Sequence, residues 1–103
     1  MKRKNFLVWK NVRFYSDLEK KVFFEFVERI NAITEYKEEN KKLYLYFKSR
    51  CISDKDLRAL IGIFDRFKID MKQLSVFLNE RNRTWFKDGV GEYVGYWVKK
   101  VFG

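Results

Sequence analysis

Histidine and proline are absent from this 103-residue sequence, and cysteine occurs once, as Cys51. Histidine is the side chain whose charge changes most readily near neutral pH, so its absence argues against the common forms of acid–base and nucleophilic catalysis. A lone cysteine cannot form a disulfide within the chain, which is typical of a reducing compartment. These absences predict a cytoplasmic protein that is not an enzyme.

Long hydrophobic runs are also absent. The longest uninterrupted apolar stretches are 43–47 and the glycine-containing 59–64, whereas a membrane-spanning helix needs about 20 apolar residues. The apolar run 6–9 that follows the basic start is too short for a secretory signal. No internal repeat, low-complexity run or Gly/Ser linker interrupts the sequence. We therefore expect one domain over residues 1–103 and no membrane partner.

Aromatic residues and positive charge are present in excess. The sequence has three Trp, six Tyr and eleven Phe, and its net charge is +9. Segment 16–40 is acidic, with seven acidic and four basic residues, and the segments on either side of it are basic. Positive charge attracts nucleic acid, anionic lipid or an acidic protein surface, and surplus aromatic residues favour a binding function. Net charge alone does not choose among these partners.

The spacing of apolar residues predicts an α+β fold, a small antiparallel sheet with helices packed on it, in the order βαββαα plus a C-terminal helix. Apolar residues at even positions within 6–14 indicate a first strand, although apolar residues at two odd positions blur the alternation. Residues 32–36 and 42–49 are predicted strands. The polar turn 37–41 joins them into a hairpin.

Three helix-start signals are recognisable. Ser16 and Glu19 form a capping box, after which a first helix is expected over about 17–31. A cap at Ser53 predicts a second helix, and a cap at Asp70 predicts a short third one. Each cap is followed by apolar residues at helical spacing, so we expect each helix to bury one face.

The C-terminal residues carry weaker signals. Residues 82–91 are expected to form a loop, and residues 92–102 a helix, with a strand as the alternative. The predicted core combines the apolar faces of the helices with one side of the central strand. Its members are Leu18, Val22, Phe26, Leu45, Phe47, Leu57, Leu60, Ile61, Phe64 and Leu74.

The basic and aromatic segment 81–87 is the first candidate for a binding surface. Its candidate contact residues are Arg81, Arg83, Trp85 and Lys87. Arginine and tryptophan dominate the energetic centres of protein interfaces, and the same residue types clamp phosphates and stack on bases. The alternative is that Trp85 and Phe86 fill the core while the arginines face solvent.

Two tyrosines on the predicted central strand are a second candidate. Tyr44 and Tyr46 lie near Lys48 and Arg50 in the sequence, an arrangement that suits a platform on which bases stack. The sequence lacks the basic-Gly-aromatic-Gly-Phe-Val consensus of RNA-recognition domains. Burial of both tyrosines under helices is the competing interpretation.

Carboxylates and the cysteine give no catalytic pattern. Glu25 and Glu28 lie three residues apart on the first helix, where a solvated charged face is the simpler interpretation and contact with a basic partner is the alternative. Cys51 is expected to be a small buried hydrophobic residue. Gly89-Val-Gly91 lacks the Gly-Lys-Ser/Thr ending of a phosphate-binding loop and is expected to be a turn. We expect no metal, no cofactor and no small-molecule substrate.

The C-terminal half contains three stretches that together form a recognisable pattern. They are residues 53–79 (SDKDLRALIGIFDRFKIDMKQLSVFLN), Trp85-Phe86 and residues 96–103 (YWVKKVFG). This pattern resembles small proteins encoded beside bacterial polymorphic toxins of the contact-dependent inhibition or Rhs type, which are regarded as the cognate immunity proteins. The resemblance implies a cytoplasmic protein that binds and neutralises one toxin domain.

The charge of the chain bears on this interpretation. Inhibitors of nucleic-acid-cleaving toxins often present acidic surfaces, whereas this chain carries +9. Either the toxin face is acidic, or the acidic segment around the first helix makes the contact. The alternative function is a basic nucleic-acid-binding protein that uses Arg, Lys and aromatic stacking. With either function, binding to generic nucleic acid is expected to be weak and salt-dependent.

Overall fold

The computed structural model describes residues 5–89 and 94–103 of the chain. The chain divides into two compact units, Met1–Arg50 and Cys51–Gly103. A three-stranded antiparallel sheet together with helices confirms the predicted α+β class. Every helix in the described part of the chain is too short or too polar to cross a bilayer.

The first unit contains the whole sheet and one helix. Its elements are β1 (Phe6–Lys10), α1 (Asp17–Arg29), β2 (Ile33–Glu39) and β3 (Lys42–Phe47). The strand order is β1-β3-β2, with β3 paired antiparallel to both neighbours. The predicted hairpin of the second and third strands is confirmed. However, β2 runs further than expected, so that only Asn40 and Lys41 form the turn.

One face of the sheet is buried. Leu7 and Trp9 of β1 point to the same side as Leu43, Leu45 and Phe47 of β3, and all five are buried. The even positions, which indicated a strand, lie on the other face, where Phe6 is exposed and Val8 is half-buried. All the residues of 6–9 are apolar, so alternation alone could not choose between the two faces.

Helix α1 begins as predicted. The Ser16 hydroxyl accepts the N–H of Glu19 at 3.1 Å. The Glu19 carboxylate reaches back to the N–H of Tyr15 at 2.8 Å, one residue earlier than in a standard capping box. The helix ends at Arg29, two residues before the expected end.

The buried face of α1 differs from the prediction. Phe23 and Val27 are buried, and the ring of Phe23 lies 5.2 Å from that of Trp9. The three predicted core residues on this helix are exposed, with accessible fractions of 70% for Leu18, 37% for Val22 and 45% for Phe26. The helix has two apolar rows, and the row that contacts Trp9 of β1 is the buried one.

The second unit is built around α2 (Asp54–Arg66). The predicted cap is present, since the Ser53 hydroxyl accepts the N–H of Asp56 at 3.1 Å. The predicted apolar face of this helix is confirmed, and so is the predicted core position of Leu74. The buried residues concerned are Leu57, Leu60, Ile61, Phe64 and Leu74.

The remaining helices are short and differ from the expected ones. Residues Met71–Phe77 form a 3-10 helix, whose first turn is capped by Asp70 accepting the N–H of Lys72 at 3.0 Å. A π-helical turn, Thr84–Asp88, lies where a loop was expected. The final helix is α3 (Val98–Phe102), much shorter than 92–102, and residues 92 and 93 lie outside the described residues.

Candidate functional site

Hydrogen bonds of two asparagines, Asn79 and Asn82, position the start of segment 81–87. The Asn79 side-chain oxygen accepts the N–H groups of Arg81 and Asn82 at 2.9 and 3.0 Å. Asn82 is almost fully buried, and its side-chain amide donates to the carbonyl of Phe77 at 2.8 Å. A buried amide needs such partners, and these hydrogen bonds tie the turn to the end of the 3-10 helix in the second unit. No helix or strand pattern in residues 79–82 predicts this turn.

Trp85 is packed within its own unit rather than presented as a free anchor. Its ring is half-buried, lies 6.0 Å from the ring of Trp97 in an edge-to-face arrangement, and is covered by the Arg58 guanidinium at 4.0 Å. The indole Nε1 is buried and has no hydrogen-bond partner among the described residues. Phe86 is fully buried. Phe86 therefore fills the core, as the alternative interpretation expected, whereas Trp85 does so only in part.

The basic residues of the segment do not converge on one point. Arg83 forms an exposed ion pair with Asp88 at 3.1 Å, and the Lys87 ammonium lies 5.5 Å above the ring of Phe102. Arg81 is exposed, and its described hydrogen bond is made by the backbone N–H. An exposed ion pair contributes little to stability, but it holds the Arg83 side chain close to its own segment.

The two candidate glutamates on α1 have different surroundings. Glu28 accepts a hydrogen bond from the hydroxyl of Tyr36 on β2 at 2.8 Å. This hydrogen bond, partial burial and the negative charge of Glu28 all raise the pKa of Tyr36 above its usual value. Glu25 is exposed and lines a shallow cavity of about 180 Å³ together with Val22, Phe26 and Arg29.

Glu25 lies beside three exposed apolar residues that were predicted to belong to the core. Leu18, Val22 and Phe26 follow one another at four-residue intervals along the outer side of α1. Glu25 and Arg29 lie beside this row at its cavity. The available signal was the second apolar row, which contains Phe23 and Val27: one helix cannot bury both rows against one sheet.

Other polar residues of the second unit have local structural roles. Asp65 forms an ion pair with Lys100 at 2.7 Å, and Asp70 caps the 3-10 helix. Gly89 adopts a φ of 86°, and its N–H closes the π-helical turn onto the carbonyl of Thr84 at 2.7 Å. The other two residues of the expected turn 89–91 lie outside the described residues. Cys51 is exposed, not buried as expected.

Comparison with known proteins gives no relative. No protein-family model, no curated protein and no solved structure matches this chain. Function is therefore inferred from the chemistry of the surfaces themselves.

Proposed function

We propose that this protein is a non-enzymatic binding protein that neutralises a cognate toxin domain by direct protein–protein contact. The observation that supports it is the exposed row formed by Leu18, Val22 and Phe26, hereafter the α1 row. Single exposed apolar residues are ordinary, whereas an aligned group on one helix face is a feature of interaction surfaces.

The α1 row suits a partner that offers an apolar groove. Residues at positions i, i+4 and i+8 of a helix lie along one side of it, and amphipathic helices bind grooves through such rows. Phe26 is the largest anchor, and its neighbour Val22 forms one wall of the adjoining cavity. The charged residues at the edge, Glu25 and Arg29, set orientation more than affinity.

The partner surface is inferred to be basic around this groove. Within α1, four acidic residues stand against three basic ones, a slight negative excess in a chain whose net charge is +9. Glu25 and Glu28 are both exposed on this helix. This placement supports the acidic-segment alternative for contact with a toxin, and it makes a nucleic-acid-cleaving toxin, with its basic substrate-binding surface, the matching class of partner.

The segment 81–87 supports an interface less well. Trp85 and Arg83 already make contacts within the second unit. An interface anchor must give up or share such contacts when it binds, which lowers the affinity it contributes. Arg81 retains the exposure that an interface residue needs.

The test is co-expression of this protein with the toxin domain encoded by the neighbouring reading frame, scored by growth and by co-purification. The wild type should restore growth and form a complex. Phe26→Ala should weaken the complex by at least about 2 kcal/mol, as for a central anchor. Tyr15→Ala is the matched control, because Tyr15 is an aromatic residue with 86% exposure outside the row.

Two outcomes would contradict parts of the proposal. Failure of the wild type to rescue growth or to co-purify removes the neutralising function. Normal binding by Phe26→Ala, combined with loss of binding in Arg81→Ala or Trp85→Ala, would move the interface to the second unit while leaving the function intact.

A further inference from the structure

The face of the sheet opposite α1 carries a cluster of three aromatic rings. Tyr44 and Tyr46 of β3 lie with their ring planes 20° apart and their centroids 6.4 Å apart. Phe6 of β1 contacts both, at 5.7 Å from Tyr44 and 5.8 Å from Tyr46. Phe6 is 40% exposed and the two tyrosines are half-buried. We call these three residues the sheet-face rings.

Strand alternation explains why the rings share this side. In β3 the buried residues Leu43, Leu45 and Phe47 alternate with the tyrosines, and Phe6 is paired with Tyr46 in the register of β1 and β3. The helix of the first unit, α1, packs on the other face through Phe23 and Trp9. Within residues 5–50, no helix covers the sheet-face rings.

Basic side chains lie on both sides of the rings. Lys10 and Lys42 are paired across the strands and lie on the same face, beyond Tyr44. Lys37 of β2 is paired with Tyr44. Lys48 and Arg50 follow β3 beyond Tyr46, and both are exposed. Positive charge thus lies at both ends of the aromatic cluster.

On this face of the sheet, the acidic residues of the strands lie on β2. Glu35 and Glu39 of β2 are paired with Tyr46 and Lys42. The five basic residues named above outnumber these two carboxylates. The balance of charge around the sheet-face rings is therefore positive, whereas α1, which carries the α1 row, holds four acidic and three basic residues.

We propose that the sheet-face rings bind single-stranded nucleic acid, with two or three unpaired bases stacked on the rings and the backbone phosphates held by the flanking lysines. Bases stack on exposed aromatic rings with little dependence on sequence, and basic side chains on either side follow the phosphate backbone. A duplex keeps its bases stacked on one another and cannot use the rings. This function is independent of toxin binding, which uses the α1 row on the opposite side of the first unit.

Fluorescence anisotropy with labelled oligonucleotides tests the proposal directly. The probes are oligo-U RNA, oligo-dT DNA and a DNA duplex, each about 12 nucleotides long, a length within the site size of comparable single-strand binders. At about 150 mM salt, where general charge attraction is reduced, we expect the single strands to bind at least about tenfold more tightly than the duplex. Tighter binding of RNA than of DNA would indicate a contact with the 2′-hydroxyl.

Ring substitutions separate stacking from charge. Tyr44→Leu and Tyr46→Leu should each weaken single-strand binding about tenfold, the effect of losing one stacked base. Tyr44→Phe and Tyr46→Phe should bind like the wild type because they keep the ring. Tyr15→Leu is the control for loss of an exposed tyrosine elsewhere in the same unit.

Lysine substitutions test the path of the phosphates. Lys42→Ala should reduce the slope of the logarithm of affinity against the logarithm of salt concentration by about 0.7, the value for one lost contact with a single strand. Lys20→Ala, an exposed position on α1, should leave the slope unchanged.

The proposal is overturned if the duplex binds as tightly as the single strands and the leucine variants bind like the wild type, because general attraction to +9 would then explain the binding. Absence of single-strand binding at low salt also overturns it. If Tyr44→Leu then also abolishes co-purification with the toxin domain, this face is a protein interface. If the leucine variants do not fold, NMR shift mapping on the wild type decides. Oligo-U must then perturb the amides of β1 and β3, and perturbation elsewhere instead counts against the proposal.

Discussion

At the scale of single residues, two phenylalanines on different helices have opposite environments. Phe64 of α2 is 1% exposed, whereas Phe26 of α1 keeps almost half of its accessible surface. Truncation of a buried ring removes its burial and leaves a closed cavity, whereas truncation of a ring that is almost half exposed removes less burial and leaves no closed cavity. The loss of unfolding free energy caused by the same substitution at the two sites therefore tests which of the two rings belongs to the core.

We expect Phe64→Ala to lower the free energy of unfolding by about 3–5 kcal/mol. Phe26→Ala should change it by only about 0.5 kcal/mol, as for an ordinary surface position. Urea denaturation of the two variants and the wild type makes the comparison. Equal losses in both variants would mean that α1 buries the row containing Phe26.

A second residue-scale prediction concerns the pair formed by Tyr36 and Glu28. The hydrogen bond to Glu28 raises the pKa of Tyr36 in the folded protein above the unfolded value near 10. The folded state therefore holds this proton more tightly, and the stabilisation is complete below pH about 10 and lost as the pH rises through the folded pKa. Glu28→Gln should move the pKa of Tyr36 back towards its usual value.

The measurement is the difference in unfolding free energy between the wild type and Tyr36→Phe as a function of pH. This difference should be constant at neutral pH and should shrink at alkaline pH. Because the other five tyrosines and the lysines titrate in both proteins, their effects cancel in the difference. A difference that grows above pH about 10 would mean that the sign of the pKa shift is wrong.

At the scale of elements, the β2–β3 hairpin shows which local signals were sufficient. Asn40 and Lys41 have φ values of 53° and 64°, the pattern of the type I′ turn that matches the twist of paired strands. Asparagine tolerates this left-handed conformation, whereas lysine adopts it at a cost. The hairpin therefore forms in spite of a strained residue at its second turn position.

We expect Lys41→Gly to stabilise the protein by about 0.5–1 kcal/mol, because relief of the strain exceeds the added flexibility of the unfolded chain. Lys37→Gly, in the middle of β2, is the matched control and should destabilise by a similar amount. Thermal unfolding followed by circular dichroism reports both. Destabilisation by Lys41→Gly would show that the lysine side chain contributes more than its backbone strain costs.

At the scale of the whole molecule, each compact unit has buried aromatic residues of its own. Phe23 is fully buried in Met1–Arg50, and Phe64 in Cys51–Gly103 is almost so. One domain over residues 1–103 remains a prediction. It states that the two units unfold together in one cooperative transition.

Scanning calorimetry measures that cooperativity. One transition should appear, with equal calorimetric and van't Hoff enthalpies, and both Phe23→Ala and Phe64→Ala should lower its midpoint. Two transitions, each shifted by only one of the variants, would mean that the units unfold separately.

The sequence by itself determined the features that depend on neighbouring residues. The caps at Ser16 and Ser53 and the β2–β3 hairpin were predictable because turn and cap chemistry acts over a few residues. The buried face of α2 was predictable because this helix has one apolar row. Alternation in β3 placed Tyr44 and Tyr46 on the side opposite its buried residues.

Only the tertiary structure decided features for which the sequence offered two equivalent choices. Helix α1 has two apolar rows, and β1 has apolar residues on both faces, so periodicity did not identify the buried side. Contact between Trp9 and Phe23 selected it and left Phe26 and Phe6 exposed. The α1 row, and Phe6 among the sheet-face rings, are residues left outside by that selection, because a small unit with more apolar side chains than its core can hold must expose the remainder.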